Sequence, residues 1–216
     1  MPDSRFFDTL EPITTEGLAE RIGGALLRGA GVMIRAVAPL ATADAHAVAF
    51  LSDRKFAQAL STTRAGCVIV SAAAAELAPA GAAVIVSPEP QAAWARASAL
   101  LHRPVMLDRA ATLAEAAEDD SVVIEPGVVM GKGVRIGRGS RIGANTVIGP
   151  GVQIGRDCHI GPGVTVGFAL VGDRVRILAG ARIGEPGFGA AGSSQGPVDI
   201  PQLGRVILQD GVSVGA

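Results

Sequence analysis

Residues 124–167 read IEPGVVMGKGVRIGRGSRIGANTVIGPGVQIGRDCHIGPGVTVG. An aliphatic residue returns at every sixth position: Ile124, Met130, Ile136, Ile142, Ile148, Ile154, Ile160 and Val166. Every member after Ile124 is followed by glycine. A period of six matches neither the helical 3.6 nor the simple alternation of a long strand. It is the mark of a left-handed parallel β-helix, in which each hexapeptide makes one face of a triangular coil. Within a hexapeptide, the aliphatic residue and the residue two before it lie on the same side of an extended segment. The second inward position holds Val128, Val134, Ser140, Thr146, Val152, Cys158 and Val164, all compact enough for a narrow core. The glycines are expected at corners, where they take left-handed or crowded backbone angles without a Cβ clash. Pro126, Pro150 and Pro162 also fall at corners, where no ladder N–H is needed.

The register slips once, because Val166 to Val171 is five residues, a one-residue deletion at a corner. Val171, Ile177 and Ile183 restore the period, a Gly/Pro/Ser-rich stretch follows over 185–202, and Leu208 and Val214 resume. Insertions in a solenoid leave as loops on one face, often the binding face. Phe188, between Gly187 and Gly189, sits at that excursion. It reads either as part of a surface loop or as a substrate-lining residue. The chain stops in mid-repeat at Val214-Gly-Ala216, and natural repeat arrays cap such ends. The expectation is therefore a solenoid incomplete at its C-terminus and aggregation-prone by itself.

The first hundred residues are organised differently. Thr14 or Thr15 followed by Glu, with Leu18, Ile22 and Leu26 beyond, reads as an N-capped amphipathic helix ended by the Gly23/Gly24 and Gly29 region. Strand candidates are Val32–Ala38, Cys67–Val70 and Ala83–Val86, and Ala47–Leu60 becomes helical from Lys55. Gln91–Leu101 reads as a helix stopped by Pro104. Strands alternating with helices indicate a small α/β domain over 1–105, a linker over 106–121, and the β-helix over 122–216.

Composition narrows the function. A net charge of −1 gives no electrostatic footprint for nucleic acid. Aromatics are 3 % against 49 % hydrophobic residues, as suits cores of small aliphatic side chains. Cys67 and Cys158 lie inside apolar patterns and read as buried reduced thiols of a cytoplasmic protein. No basic segment followed by an apolar one marks a signal peptide, and no apolar run reaches the ~18 residues of a membrane span. The glycines of the first domain lack the placement of a phosphate loop. The segment Phe50-Leu-Ser-Asp-Arg-Lys-Phe56 sets two aromatics around polar groups. They read either as core packing or as a sandwich for a flat base whose edge Asp53 would hydrogen-bond.

The run VAFLSDRKFAQALSTTRAGCVIVS (48–71) resembles the N-terminal domain of the UDP-3-O-(3-hydroxyacyl)glucosamine N-acyltransferase family of lipid A biosynthesis. The run 184–216, with Gly-Phe-Gly at 187–189 and Ile-Pro-Gln-x-Gly-Arg-Val-Ile at 200–207, resembles the same family. The resemblance implies an acyltransferase that moves a 3-hydroxyacyl chain from acyl carrier protein to the 2-amine of UDP-3-O-acylglucosamine. It implies a homotrimer with clefts between neighbouring β-helices, and no redox cofactor or metal. It places the uracil between Phe50 and Phe56, with Asp53 at the base edge. The family carries Tyr where Phe56 stands and Asn where Asp53 stands, and an ionised carboxylate can only accept hydrogen bonds. A non-catalytic uridine nucleotide-sugar-binding module or trimeric scaffold is the alternative.

The reaction needs a base for the amine proton. The family's base is a His in an Ile-Ala-His-Asn-like hexapeptide, which the resemblance implies in coils beyond Ala216, and none of His46, His102 and His159 fits that pattern. His159 precedes an inward aliphatic and points outward. Because one coil is eighteen residues, Arg141, His159 and Arg176 are expected to stack on one outer face, as a solvated ladder, a subunit contact or an anion-attracting strip.

Overall fold

The computed structural model describes residues 2–107 and 111–216, so three residues of the 106–121 linker, 108–110, lie outside it. The chain divides into two compact units. The first contains Asp8–Arg103 and Phe188–Leu203; the second contains Asp3–Phe7, Pro104–Gly187 and Gly204–Ala216. By its contacts the solenoid excursion thus groups with the first unit.

The first unit is built on a five-stranded sheet. Its order is Ala25–Arg28, Ala83–Val86, Cys67–Val70, Ala47–Phe50 and Ala36–Val37. All neighbours are parallel except Ala25–Arg28, which runs antiparallel to Ala83–Val86. Both faces of the central strands are covered, which is why Cys67–Val70 and Ala83–Val86 read as unbroken apolar runs. Their side chains alternate between two cores. Cys67, Ile69, Ala83 and Ile85 pack with Leu18 and Ile22 of helix α1 (Thr15–Ile22) and with Ala97 and Leu101 of a second helix, Pro90–Leu101. Val68, Val70 and Val84 face Leu60, Ala74 and Ala75 on the other side. Leu60 lies on helix α2 (Ala57–Ser61), so Pro90–Leu101 is α3.

Helix α1 starts where Thr14 Oγ1 accepts the Gly17 amide (3.3 Å) and stops at Gly23, whose φ of +72° is the left-handed turn glycine tolerates. Leu26 therefore lies not on the helix but on the next strand, an element that periodicity across Gly23-Gly24 hides. The segment 32–38 forms two short strands, Met33–Ile34 and Ala36–Val37, instead of one.

The second unit is a left-handed parallel β-helix. Its three faces are parallel sheets whose registers step by eighteen residues, as in Arg141↔His159 and Ile142↔Ile160. Beyond the deletion the step becomes seventeen, as in His159↔Arg176 and Ile154↔Val171. The inward aliphatics from Ile136 to Val166 are buried. The polar members of the second inward column are satisfied along the axis. Ser140 Oγ donates to the Gly155 carbonyl (2.8 Å), Thr146 Oγ1 to that of Gly161 (2.9 Å), and the Cys158 thiol to that of Gly172 (3.1 Å). A hydroxyl here costs little because the coil above supplies its acceptor.

The role expected of the recurrent glycines needs correction. Those that follow the aliphatic residue from Gly131 to Gly167 do not adopt left-handed backbone angles, whereas Gly184, after Ile183, does (φ of +81°). A Cβ on Gly131 would stand 2.5 Å from the Pro150 nitrogen, on Gly143 2.5 Å from that of Pro162, and on Gly137 2.7 Å from the Gly155 carbonyl carbon. At these three places glycine is required because successive coils touch. The left-handed angles belong to a second column three residues after the aliphatic, at Gly127, Gly133, Gly139, Gly151 and Gly163. Asn145, Asp157 and Arg174 occupy equivalent places in other coils with φ of 58°, 55° and 57°. At those three places the column carries a side chain at some cost in backbone strain.

The deletion has a structural counterpart. Phe168, with φ of 45°, fills the altered corner, and its ring lies 5.2 Å from Phe7 and 6.0 Å from Phe6. Both N-terminal phenylalanines are buried in this unit, a contact no repeat pattern announces. Nearby, Asp3 receives Arg5 and Arg205 at 2.7 and 3.4 Å, and the Arg5 hydrogen bonds hold its carboxyl at a pKa of about 2.

Candidate functional site

Three parallel strands of the first unit end side by side, and the segments that leave them converge on a cleft of about 310 Å³. From Ala47–Phe50 come Leu51, Ser52, Asp53 and Arg54; from Cys67–Val70 come Ser71, Ala73 and Ala74. From Ala83–Val86 come Glu89, Pro90, Gln91 and Ala92, the first turn of α3. Gly192 of the 188–203 segment completes the wall. Ligands of open α/β sheets bind in the crevice beyond the carboxyl ends of the strands, and this cleft occupies that position.

The cleft mixes apolar and polar groups and sets the carboxyls of Asp53 and Glu89 beside the guanidinium of Arg54 on its wall. Pro90 stands at the first position of the twelve-residue α3, whose N-terminal amides lack intrahelical acceptors. A helix N-terminus favours an anion, and Arg54 lines the same cleft. Ser52 and Ser71 contribute hydroxyls. Glu89 is engaged elsewhere. Its Oε1 accepts the Ser194 amide at 2.5 Å, which holds its carboxyl below the usual range and ties the 188–203 segment to α3. Arg96 reaches Ser193 Oγ (3.5 Å) further along the same helix. The pairing of Ala190–Ala191 with Val198–Asp199 makes this segment a small hairpin instead of an open loop.

Of the four residues singled out in the sequence, Asp53 lines the cleft. It caps the short 3₁₀ turn Arg54–Phe56: Oδ1 accepts the Lys55 amide (3.0 Å) and Oδ2 lies 3.4 Å from Lys55 Nζ. The Lys55 amide and then its ammonium lower the carboxyl pKa, so Asp53 is an anion that only accepts. Phe50 is half-buried with its ring 5.0 Å from Trp94 of α3, whose buried Nε1 has no acceptor among the described residues. Phe56 is exposed, with the Lys55 ammonium 5.1 Å from its ring centre. Phe188 is fully exposed and lies outside the cleft lining. Phe50 and Phe56 thus stand at the two ends of the Asp53 segment, and the structure gives no contact between their rings.

Sequence reasoning passed over Arg54, Ser71, Gln91 and the α3 N-terminus. The signal was present: each follows an apolar strand run, and in a parallel α/β sheet such followers gather at one edge. The histidines do not line the cleft. His102 is buried and accepts the Val37 amide on Nε2 (3.3 Å), and burial lowers its pKa. Burial likewise pushes the Cys67 thiol up to about 12 and raises Cys158, so neither is poised as a nucleophile. No group of metal-binding side chains gathers among the described residues. No helix among them is long and apolar enough to cross a membrane.

Residues 32–100 match the family described as UDP-3-O-(3-hydroxymyristoyl) glucosamine N-acyltransferase, LpxD. Residues 119–150 and 133–168 match the bacterial transferase hexapeptide family. Among curated proteins the chain is similar to the UDP-3-O-acylglucosamine N-acyltransferases of Caulobacter sp. strain K31 (52 % identical over 220 residues), Caulobacter vibrioides strain NA1000 (49 % over 221) and Granulibacter bethesdensis (48 % over 219). The alignments cover 99–100 % of this chain and 64–65 % of those proteins, so the chain spans just under two thirds of their length.

Proposed function

The chain belongs to the UDP-3-O-acylglucosamine N-acyltransferase family, and from that premise we propose that its α/β unit binds the uridine diphosphate of an acylated glucosamine nucleotide. The observation that carries the proposal is the convergence of Asp53, Arg54 and the α3 N-terminus at the carboxyl edge of three parallel strands. The diphosphate takes Arg54 and the α3 amides, donors that suit two negative charges. The uracil takes the Phe50–Phe56 segment, where Asp53 accepts the base N3–H. Phe188 is assigned to the sugar or its acyl chain.

In the proposed reaction the glucosamine 2-amine attacks the thioester carbonyl carbon of an acyl carrier protein. The tetrahedral oxyanion collapses with loss of the thiolate, and a base removes the amine proton. The residues described above bind and orient the acceptor in that scheme; they do not supply the base. The protein is proposed to work as a homotrimer in the cytoplasm, where nucleotide-sugars and acyl carrier protein meet.

The test is a calorimetric titration of UDP and of uridine. Arg54→Ala is expected to weaken UDP by about tenfold, the size of one charge-assisted contact, and to leave uridine unchanged. Phe50→Ala and Phe56→Ala are expected to weaken both. Equal affinities for UDP across all three variants would remove the assignment.

A further inference from the structure

The 188–203 hairpin supplies part of the cleft wall through Gly192, yet little apolar packing holds it. Ala191 is its one buried residue, and Leu203 at its end packs half-buried against the core that α1 and α3 share. Its turn closes on itself: the Gly196 amide donates to the Ser193 carbonyl (3.0 Å) and the Ser193 hydroxyl to the Gly196 carbonyl (2.7 Å). That turn is also what reaches α3. The Ser194 amide donates to Glu89 Oε1 at 2.5 Å, and Arg96 Nη2 donates to Ser193 Oγ at 3.5 Å. Arg96 is held in turn by the Ile22 carbonyl at the end of α1 (3.4 Å). Gly192 lies between buried Ala191 and this tethered turn, so its place in the wall depends on both. A segment with few buried apolar contacts, held by polar groups at its tip, opens locally at low cost.

Glu89 stands immediately before Pro90, where α3 begins. A carboxylate at a helix start is drawn to the free amides of its own first turn. Glu89 makes no such bond; its carboxylate is turned to an amide 105 residues further along the chain. The Ser87 hydroxyl accepts the Glu89 amide (3.1 Å) and fixes the residue just beyond the strand Ala83–Val86. We propose that Glu89 is a positioning residue that latches the hairpin in place as a movable wall of the cleft. The inference rests on the nucleotide reading of that cleft. With the latch made, Gly192 is seated in the wall and the α3 amides stay clear of the Glu89 carboxylate. With the latch broken, the wall is fastened from the Ala191 side alone, and a freed carboxylate competes with the diphosphate for those amides. Both changes loosen the ligand. Charge alone argues the opposite, because deleting a carboxylate beside a diphosphate strengthens the binding of the anion. The sign of the effect therefore separates a latch from a mere neighbour.

The experiment uses the 216-residue chain, with UDP as the probe in calorimetry and hydrogen exchange read at the hairpin amides. Glu89→Ala is expected to weaken UDP about tenfold and to speed exchange of the Ser194 amide about tenfold, the size of one hydrogen bond to a charged group. Glu89→Gln keeps an oxygen that accepts the Ser194 amide and drops the charge, so it is expected to restore wild-type affinity or better. Ser194→Pro removes the donor and leaves the carboxylate, and is expected to weaken UDP at least as much as Glu89→Ala. A merely structural Glu89 would lower the thermal midpoint in step with affinity; the latch predicts a loss of affinity at an unchanged midpoint. The inference is overturned if Glu89→Ala binds UDP as tightly as the wild type or more tightly. It is overturned as well if the hairpin amides exchange at the wild-type rate in that variant, or if Glu89→Gln rescues nothing. UDP binding that is weakened by Arg54→Ala and untouched by Glu89→Ala removes the latch alone. A wild-type chain that does not bind UDP removes the nucleotide reading and the latch with it.

Discussion

Ile142 of the solenoid is stacked between Ile124 and Ile160, eighteen residues away on either side, and its neighbours repeat its own sequence context. Ile69 of the α/β unit shares its core with Leu18 and Ile22 from one helix and Ala97 and Leu101 from another. Both side chains are fully buried. The difference lies in how far the chain must travel to bury them. A solenoid residue needs only the adjacent coils, so each repeat carries its own folding instruction. A sheet residue needs helices brought from distant parts of the sequence, and the loops that bring them are also what assemble the cleft.

The largest test of that contrast is a cavity placed in each core. Ile148→Ala and Ile69→Ala are each expected to cost about 2–5 kcal/mol, since both sites are close-packed. Hydrogen exchange should tell them apart. Amides of the coils adjoining Ile148 are expected to lose protection first, whereas Ile69→Ala should expose the whole five-stranded sheet together. A solenoid that loses protection uniformly would break the distinction.

A smaller effect sharpens it within the solenoid. Gly143→Ala drives a Cβ to 2.5 Å from the Pro162 backbone and is expected to cost about 1–3 kcal/mol. Gly163→Asn meets nothing within 4 Å and places asparagine where Asn145 already adopts the same left-handed angle, so it is expected to cost about 1 kcal/mol or less. Thermal unfolding of the two variants ranks them directly; the reverse order would show that coil contact does not select the first glycine column.

The smallest effect concerns acid. His102 of the α/β unit is held neutral by burial and by the Val37 amide it accepts, so its folded pKa lies below its unfolded value of 6.5. Its contribution is therefore complete above that value and is lost as pH falls below 6.5 and through the folded pKa. Stability of this unit should decline over that interval, and His102→Gln, which can accept the same amide, should flatten the decline. An unchanged slope in the variant would assign the acid response elsewhere.

Much of the solenoid was legible in the local pattern of residues. The six-residue register, the deletion before Val171 and the inward columns all follow from local geometry, and the stacked Arg141, His159 and Arg176 follow from counting coils. The candidate site was legible only in part. Asp53 could be picked out because Phe50 and Phe56 frame it, and it does line the cleft. Arg54, Ser71 and Gln91 share no spacing in the sequence; they meet because three strands happen to be neighbours. The burial of Phe6 and Phe7 against Phe168 was equally invisible, because it joins a non-repetitive arm to a single irregular corner.

By itself, the sequence determined the β-helix, because a repeat that buries its aliphatics against its own neighbours needs no information beyond its period. It also determined the alternation of strands and helices in the first unit, since buried parallel strands and capped helices leave local signatures. Only the tertiary structure decided which glycines turn the chain through left-handed angles and which do not, because the two columns differ in φ and not in residue type. It alone decided that Glu89 would hold Ser194, that the 188–203 segment would group with the α/β unit, and that Arg54 would line one cleft with the first turn of α3. Those outcomes depend on long-range packing, where residues far apart in the chain become neighbours only after the sheet order is set.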